Sequence, residues 1–120
     1  MGRVVSIHEY ELKAGVDADA FERAIQDAEA RGLLKLPGLV GHHFIKGIKG
    51  TRQGKYAAVW IYENRDAWQR IWGTPERPRH FDEYPTSWQI WEAEILAPFL
   101  SRIPDEISFT TYEELDGIAR

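Results

Sequence analysis

A chain of 120 residues carrying 15 Lys+Arg against 19 Asp+Glu, a formal net charge of −4, and no cysteine has the length of one domain and excludes disulfides and cysteine-ligated metal sites. A pI near 5.5 argues against a dedicated nucleic-acid binder. No apolar run approaches the roughly 18 residues of a membrane span, and the start at Met1-Gly2-Arg3 lacks the layout of a signal peptide, so the expected setting is the cytoplasm, with neither membrane nor nucleic acid as partner.

Arg3 to Leu12 alternates as a strand does, with Val5 and Ile7 on one side and Val4, Ser6, His8, Tyr10 and Leu12 on the other. From Asp17 the period becomes helical: Phe21, Ala24, Ile25 and Ala28 form one stripe, Asp19 and Glu22 have capping-box spacing, Asp27 and Arg31 pair at i,i+4, and Gly32 is a C-terminal stop. Leu36-Pro37-Gly38 turns the chain into a second strand, Leu39 to Ile48. Its return as a third, Tyr56 to Glu63, passes through a Gly-punctuated tip. Lys46, Lys49, Arg52 and Lys55 around that tip read as solvated cations.

Asn64 caps a short helix, Arg65 to Trp72, whose buried stripe is Ala67, Trp68, Ile71 and Trp72 and which Gly73 ends. Residues 74–85 hold three prolines, fit neither period and read as an ordered excursion. Thr86 and Gln89 have capping-box spacing for a further helix with Trp88, Trp91, Ile95 and Phe99 on one stripe, which Pro98 ends or kinks. Glu106 to Tyr112 is the last strand, and residues 113–120 form a polar tail. Residues 1–60 carry nine Lys/Arg and seven Asp/Glu, and residues 61–120 carry six and twelve. That tilt, without a linker, leaves residues 1–120 as one domain.

The order strand, helix, strand, strand, helix, strand is the split βαβ plan. It predicts an α+β, ferredoxin-like subunit with a four-stranded antiparallel sheet and helices on one face. The third strand is apolar at every position before Glu63, so both of its faces need cover. A second copy of the sheet, packed on the face bearing Val5, Ile7, Val59 and Ile61, supplies that cover in a symmetric homodimer.

Lys13-Ala14-Gly15-Val16-Asp17 followed by Phe21-Glu22, then Leu36-Pro37-Gly38-Leu39, then Trp60-Ile61-Tyr62-Glu63-Asn64 entering a helix, resembles the dimeric α+β barrel superfamily. That group includes antibiotic-biosynthesis monooxygenase-like proteins, stress-responsive barrel proteins and polyketide cyclases. The resemblance spans residues 3–112. It implies a ligand cavity between the sheet and its own helices, faced by Ser6, His8, Tyr10 and Leu12 and by Ala58, Trp60 and Tyr62. Family members oxygenate aromatics without a cofactor, cyclise polyketides, isomerise lactones, or bind and degrade haem.

Within that frame His8 is the leading acid-base candidate, since imidazole titrates near neutrality; the alternative is a core histidine satisfied by its neighbours. Tyr10 and Tyr62 are candidate donors to a substrate oxyanion, or packing residues with satisfied hydroxyls. His42 and His43, adjacent on a strand, point to opposite faces and cannot chelate one metal together; no metal site is expected. Five Trp residues exceed ordinary core filling and suggest an aromatic-walled cavity built from Trp60, Trp68, Trp72 and Trp88. His80, followed by Phe81 on the proline-stiffened excursion, is expected by analogy with family members to close over the cavity and work with His8; the alternative is a solvent-exposed loop residue.

The expected function is that of a small-molecule enzyme acting on an aromatic or polyketide-like substrate, as a cofactor-independent monooxygenase or a cyclase/isomerase. A non-catalytic ligand-binding dimer is the alternative. So is a haem-binding or haem-degrading protein, for which the asparagine of the haem-degrading branch has no evident place, Asn64 being at the helix cap.

Overall fold

The structure is a computed structural model that describes residues 2–118. The chain forms two compact units, each assembled from separate stretches: one from the residues up to Tyr10, Pro37–Arg79 and those from Ser108 on, the other from Glu11–Leu36 and His80–Ile107.

The first unit is built on an antiparallel sheet of β1 (Val4–Tyr10), β2 (Leu39–Lys46), β3 (Tyr56–Tyr62) and β6 (Ser108–Glu113), in the order β2-β3-β1-β6. With the intervening helices, this is the α+β, ferredoxin-like arrangement that the element order predicts. β3 alternates strictly, with Tyr56, Ala58, Trp60 and Tyr62 buried and Ala57, Val59 and Ile61 half-buried. Its inner face therefore meets packed side chains while its outer face is aliphatic.

β2 carries the one irregularity of the ladder. Leu39 pairs with Tyr62 and Gly41 with Ile61, so Val40 is an extra residue bulged out of register and exposed. Because side chains alternate with period two, this single insertion decides which of the adjacent histidines faces inward. His42 falls opposite Trp60 on the inner face, and His43 opposite Val59 on the outer one.

α2 (Arg65–Trp72) starts where expected, Asn64 Oδ1 accepting the Ala67 N–H at 2.9 Å. Ala67 and Ile71 are buried, whereas Trp68 and Trp72 are half-buried. Gly38 turns into β2 at φ +80°, and a Cβ there would stand 2.7 Å from that of Ala67, so the Pro-Gly-Leu turn requires glycine both for its backbone and for helix approach. The excursion is more regular than its prolines suggest: β4 (Gly73–Thr74) and β5 (Arg77–Pro78) form a minimal ladder.

The hairpin tip corrects one expectation. Arg52 is not solvated: its Nη2 donates to the carbonyls of Tyr10 at 3.1 Å and Tyr56 at 2.8 Å, and its Nε lies 3.5 Å from Glu9. It ties the tip to β1 by charge-assisted bonds to backbone oxygens.

In the second unit α1 (Ala18–Ala30) buries Phe21, Ile25 and Ala28, and Arg31 lies 3.6 Å from Asp27. The cap is Asp17, whose Oδ1 accepts the Asp19 N–H, instead of the expected Asp19–Glu22 box. α3 (Thr86–Ile90) follows Pro85 without a side-chain cap, because Thr86 is already helical. Gln89 instead donates to the carbonyls of Asp82 and Tyr84. From Trp91 to Leu96 the chain continues as a π-helix, burying Trp91, Ile95 and Leu96. Within this unit Lys13 N–H donates to Phe99, Ser101 N–H donates to Glu11, and the Phe21 and Phe99 rings meet edge-on at 5.4 Å.

Candidate functional site

The strand registers bring most of the predicted site residues onto one face of the sheet. His42, Trp60, Ser6 and Thr111 stand in one row across β2, β3, β1 and β6, and Phe44, Ala58, His8 and Phe109 stand in the next. Directly opposed side chains in such rows are within contact, and at this face they form a continuous aromatic surface. His42 stacks on Trp60 with ring centroids 5.6 Å apart and an interplanar angle of 26°. Phe44 meets the same indole edge-on at 5.6 Å. On the other side of Trp60, the His8 ring lies 6.0 Å away and is itself 5.5 Å from Phe109.

His8 also belongs to a short polar chain. Its Nε2 is 3.2 Å from Ser6 Oγ, which is 2.9 Å from Thr111 Oγ1. Both hydroxyls donate or accept as needed, so the imidazole has a partner in either neutral tautomer. Burial among apolar rings lowers its pKa to about 4 by disfavouring the charged form. At neutral pH His8 is therefore an uncharged imidazole, ready to hydrogen-bond and able to take a proton only when an anion forms beside it.

Tyr62 is buried on the same sheet face and accepts the Trp72 Nε1–H at 3.1 Å. That bond leaves the phenol's own proton for donation, and burial raises its pKa far enough to keep the proton in place. Tyr10 and Ala58 are buried on this face, and Trp68 is half-buried on α2. Two predicted residues belong to the second unit. His80 is exposed, its backbone N–H donating to Glu83 Oε1 at 3.0 Å. Trp88 is buried and donates from Nε1 to Glu92 Oε1 at 3.0 Å.

Glu92 was not anticipated. It is a buried carboxyl whose pKa is raised to about 7, first by burial and then by the charge of Asp105, against the opposing bond from Trp88. The Tyr84 hydroxyl donates to Asp105 at 3.0 Å. The four-residue spacing of Trp88 and Glu92 on a helix is the signal that could have found this pair. Phe109 and Thr111 were likewise missed, although the alternation of the last strand with His8 in register places them.

Among the described residues no three His, Asp or Glu side chains gather into a metal-sized group, and no helix is long and apolar enough to cross a membrane. Asn64 Oδ1 is committed to the cap of α2 by the Ala67 N–H.

No family model matches the chain, and no curated protein does. Solved structures do. A cofactor-independent oxygenase of Streptomyces nogalater, SnoaB, superposes with a TM-score of 0.59 at 12% identity, with 100% of each chain covered. A protein of Bordetella bronchiseptica provisionally described as an antibiotic biosynthesis monooxygenase gives 0.63 at 14% identity over 96% of this chain and 99% of its own. A dimeric ferredoxin-like protein of unknown function from Thermobifida fusca gives 0.58 at 14% identity over 94% and 92%. These likenesses show the fold: the chain has the ferredoxin-like fold of these solved structures.

Proposed function

We propose that the chain is a single dimeric α+β barrel domain and a small-molecule enzyme that works without a cofactor on a planar aromatic or polyketide-like substrate. The observation that carries this reading is His8, a neutral imidazole set among aromatic rings and hydrogen-bonded to the Ser6–Thr111 hydroxyl pair. A flat phenol or enol stacks on such rings. Its O–H proton passes to the imidazole, and the anion so formed restores the basicity that burial removes. Tyr62, kept protonated, donates to the developing oxyanion. The resulting enolate either reacts with dioxygen or closes onto an internal carbonyl, giving oxygenation or cyclisation. The likeness to SnoaB supports oxygenation.

The test begins with native mass spectrometry and an absorbance scan of freshly purified protein. It then follows oxygen uptake and product mass with a panel of anthrones and naphthols. Turnover is expected to fall about 10²–10⁴-fold in His8→Gln, and the same assay on His80→Gln tests the second acid-base group that the resemblance implies. Protein that retains an aromatic compound without converting any member of the panel is a ligand-binding dimer, and a Soret band makes it a haem protein.

The proposed partner is a second copy. Val5, Ile7, Val59 and Ile61 form the outer sheet face with Ile45, 47% exposed, and Tyr112, 54% exposed, a continuous apolar surface of the kind monomers seldom leave open. Sedimentation equilibrium at micromolar concentration is expected to give twice the chain mass. A monomer mass there rejects the dimer.

A further inference from the structure

His8 sits one strand in from the edge of the sheet. β6 is the terminal strand in the order, so only one strand spacing, about 4.8 Å, separates the imidazole's strand from the open side. On the inner face β6 places one aromatic ring in the His8 row, that of Phe109, with its centroid 5.5 Å from the imidazole. His8 is half-buried, whereas Phe109 is 57% exposed, a high value for a phenylalanine on a face that elsewhere buries Trp60 and Tyr62. An apolar ring held against a half-buried imidazole on one side and water on the other is the outer wall of the site at that edge.

We propose that Phe109 is the gate of the His8 site: ligands reach the imidazole across the β6 edge, and the Phe109 ring, on which an entering molecule must stack or which it must displace, selects flat ones. Selection for flatness rests on the function proposed above; the route of access does not. A phenylalanine χ1 turn at an exposed edge is fast and local, so opening requires no break in the β1–β6 ladder. The ring contacts between Trp60 and its neighbours His42 and Phe44 stay in place while the gate moves.

Diethyl pyrocarbonate, a small acylating agent for neutral imidazoles, reads this access directly. Peptide mapping gives the modification rate of His8 relative to His80, which is exposed and lies off the sheet. In Phe109→Ala the relative rate of His8 is expected to rise by about tenfold, as a locally gated position becomes open, and in Phe109→Trp to fall below wild type. Glu113→Gln, on the same strand but off the outer face, removes the ion pair to Arg65, controls for fraying of β6 and is expected to leave the rate unchanged. An unchanged His8 rate in Phe109→Ala, or an equal rise in Glu113→Gln, overturns the gate. The assay needs no turnover, so a protein that proves inactive still tests it.

Discussion

Replacing Trp60 by alanine is expected to destabilise the protein by about 3–5 kcal/mol, the cost of deleting a large aromatic side chain from a packed core. Trp60 is the largest fully buried side chain of the sheet and the common neighbour of His8, His42 and Phe44. Its removal therefore strips a contact from three other rings as well as leaving a cavity. Trp60→Phe keeps a ring under His42 and is expected to cost less than half as much. Urea denaturation provides the reading, as a lowered midpoint at constant slope. The same cavity admits water to His8, so its pKa, followed by NMR, rises from about 4 towards the ordinary imidazole range. A loss below about 1 kcal/mol means that the face collapses without Trp60, and the aromatic surface is then not a preformed site.

Period-two and period-3.6 patterns made the sheet and α2 legible, because burial on one face leaves a residue-by-residue record. β3 is the exception: it is apolar at every position, so only the resemblance assigned Ala58, Trp60 and Tyr62 to the cavity side and Val59 and Ile61 to the other, and it is the first set that is buried. Features set by a single local choice left weaker traces. Asp17 and Asp19 are both competent caps, and only the extended backbone at Asp17 decides between them. The bulge at Val40 has no compositional mark, yet it turns His42 inward. Arg52 looks solvated in the sequence because its neighbours are glycines and lysines, and nothing local reveals that two carbonyls, one of them 42 residues away, converge on it. The π-helical turn at Trp91–Leu96 is equally silent, since its sequence has an ordinary helical stripe. His8, by contrast, stands out by residue type alone, but its neutrality depends on rings from two other strands.

Two buried groups give the protein opposing responses to pH, and separating them is the second large effect. His8 has a pKa lowered from 6.5 to about 4 by burial, so between those values the unfolded chain binds more protons. The stability it contributes is complete above pH 6.5 and is lost as pH falls to 4, by about 3 kcal/mol in total. Glu92 has a pKa raised from 4.5 to about 7 by burial and by Asp105, so in its window the folded chain binds more protons. Its contribution is complete below pH 4.5 and is lost as pH rises through 7, by about 2 kcal/mol once residual hydration is allowed for. Between pH 4.5 and 6.5 the two slopes oppose each other. They lie in different units, which lets native-state hydrogen exchange, corrected for intrinsic rates, read each at its own amides. From pH 7.5 down to 5, protection is expected to decrease along Val4–Tyr10 and to increase along Trp91–Leu96. Glu92→Gln retains an acceptor for the Trp88 Nε1–H while removing the titration, so it is expected to abolish the change at Trp91–Leu96 and to raise protection there at pH 7.5. If those amides in Glu92→Gln still lose protection with rising pH as the wild type does, the buried carboxyl is not the group responsible. If His8→Gln leaves the acid loss along β1 intact, the neutral imidazole is not the origin of that loss, and the proton acceptor assigned to the site loses its main physical support.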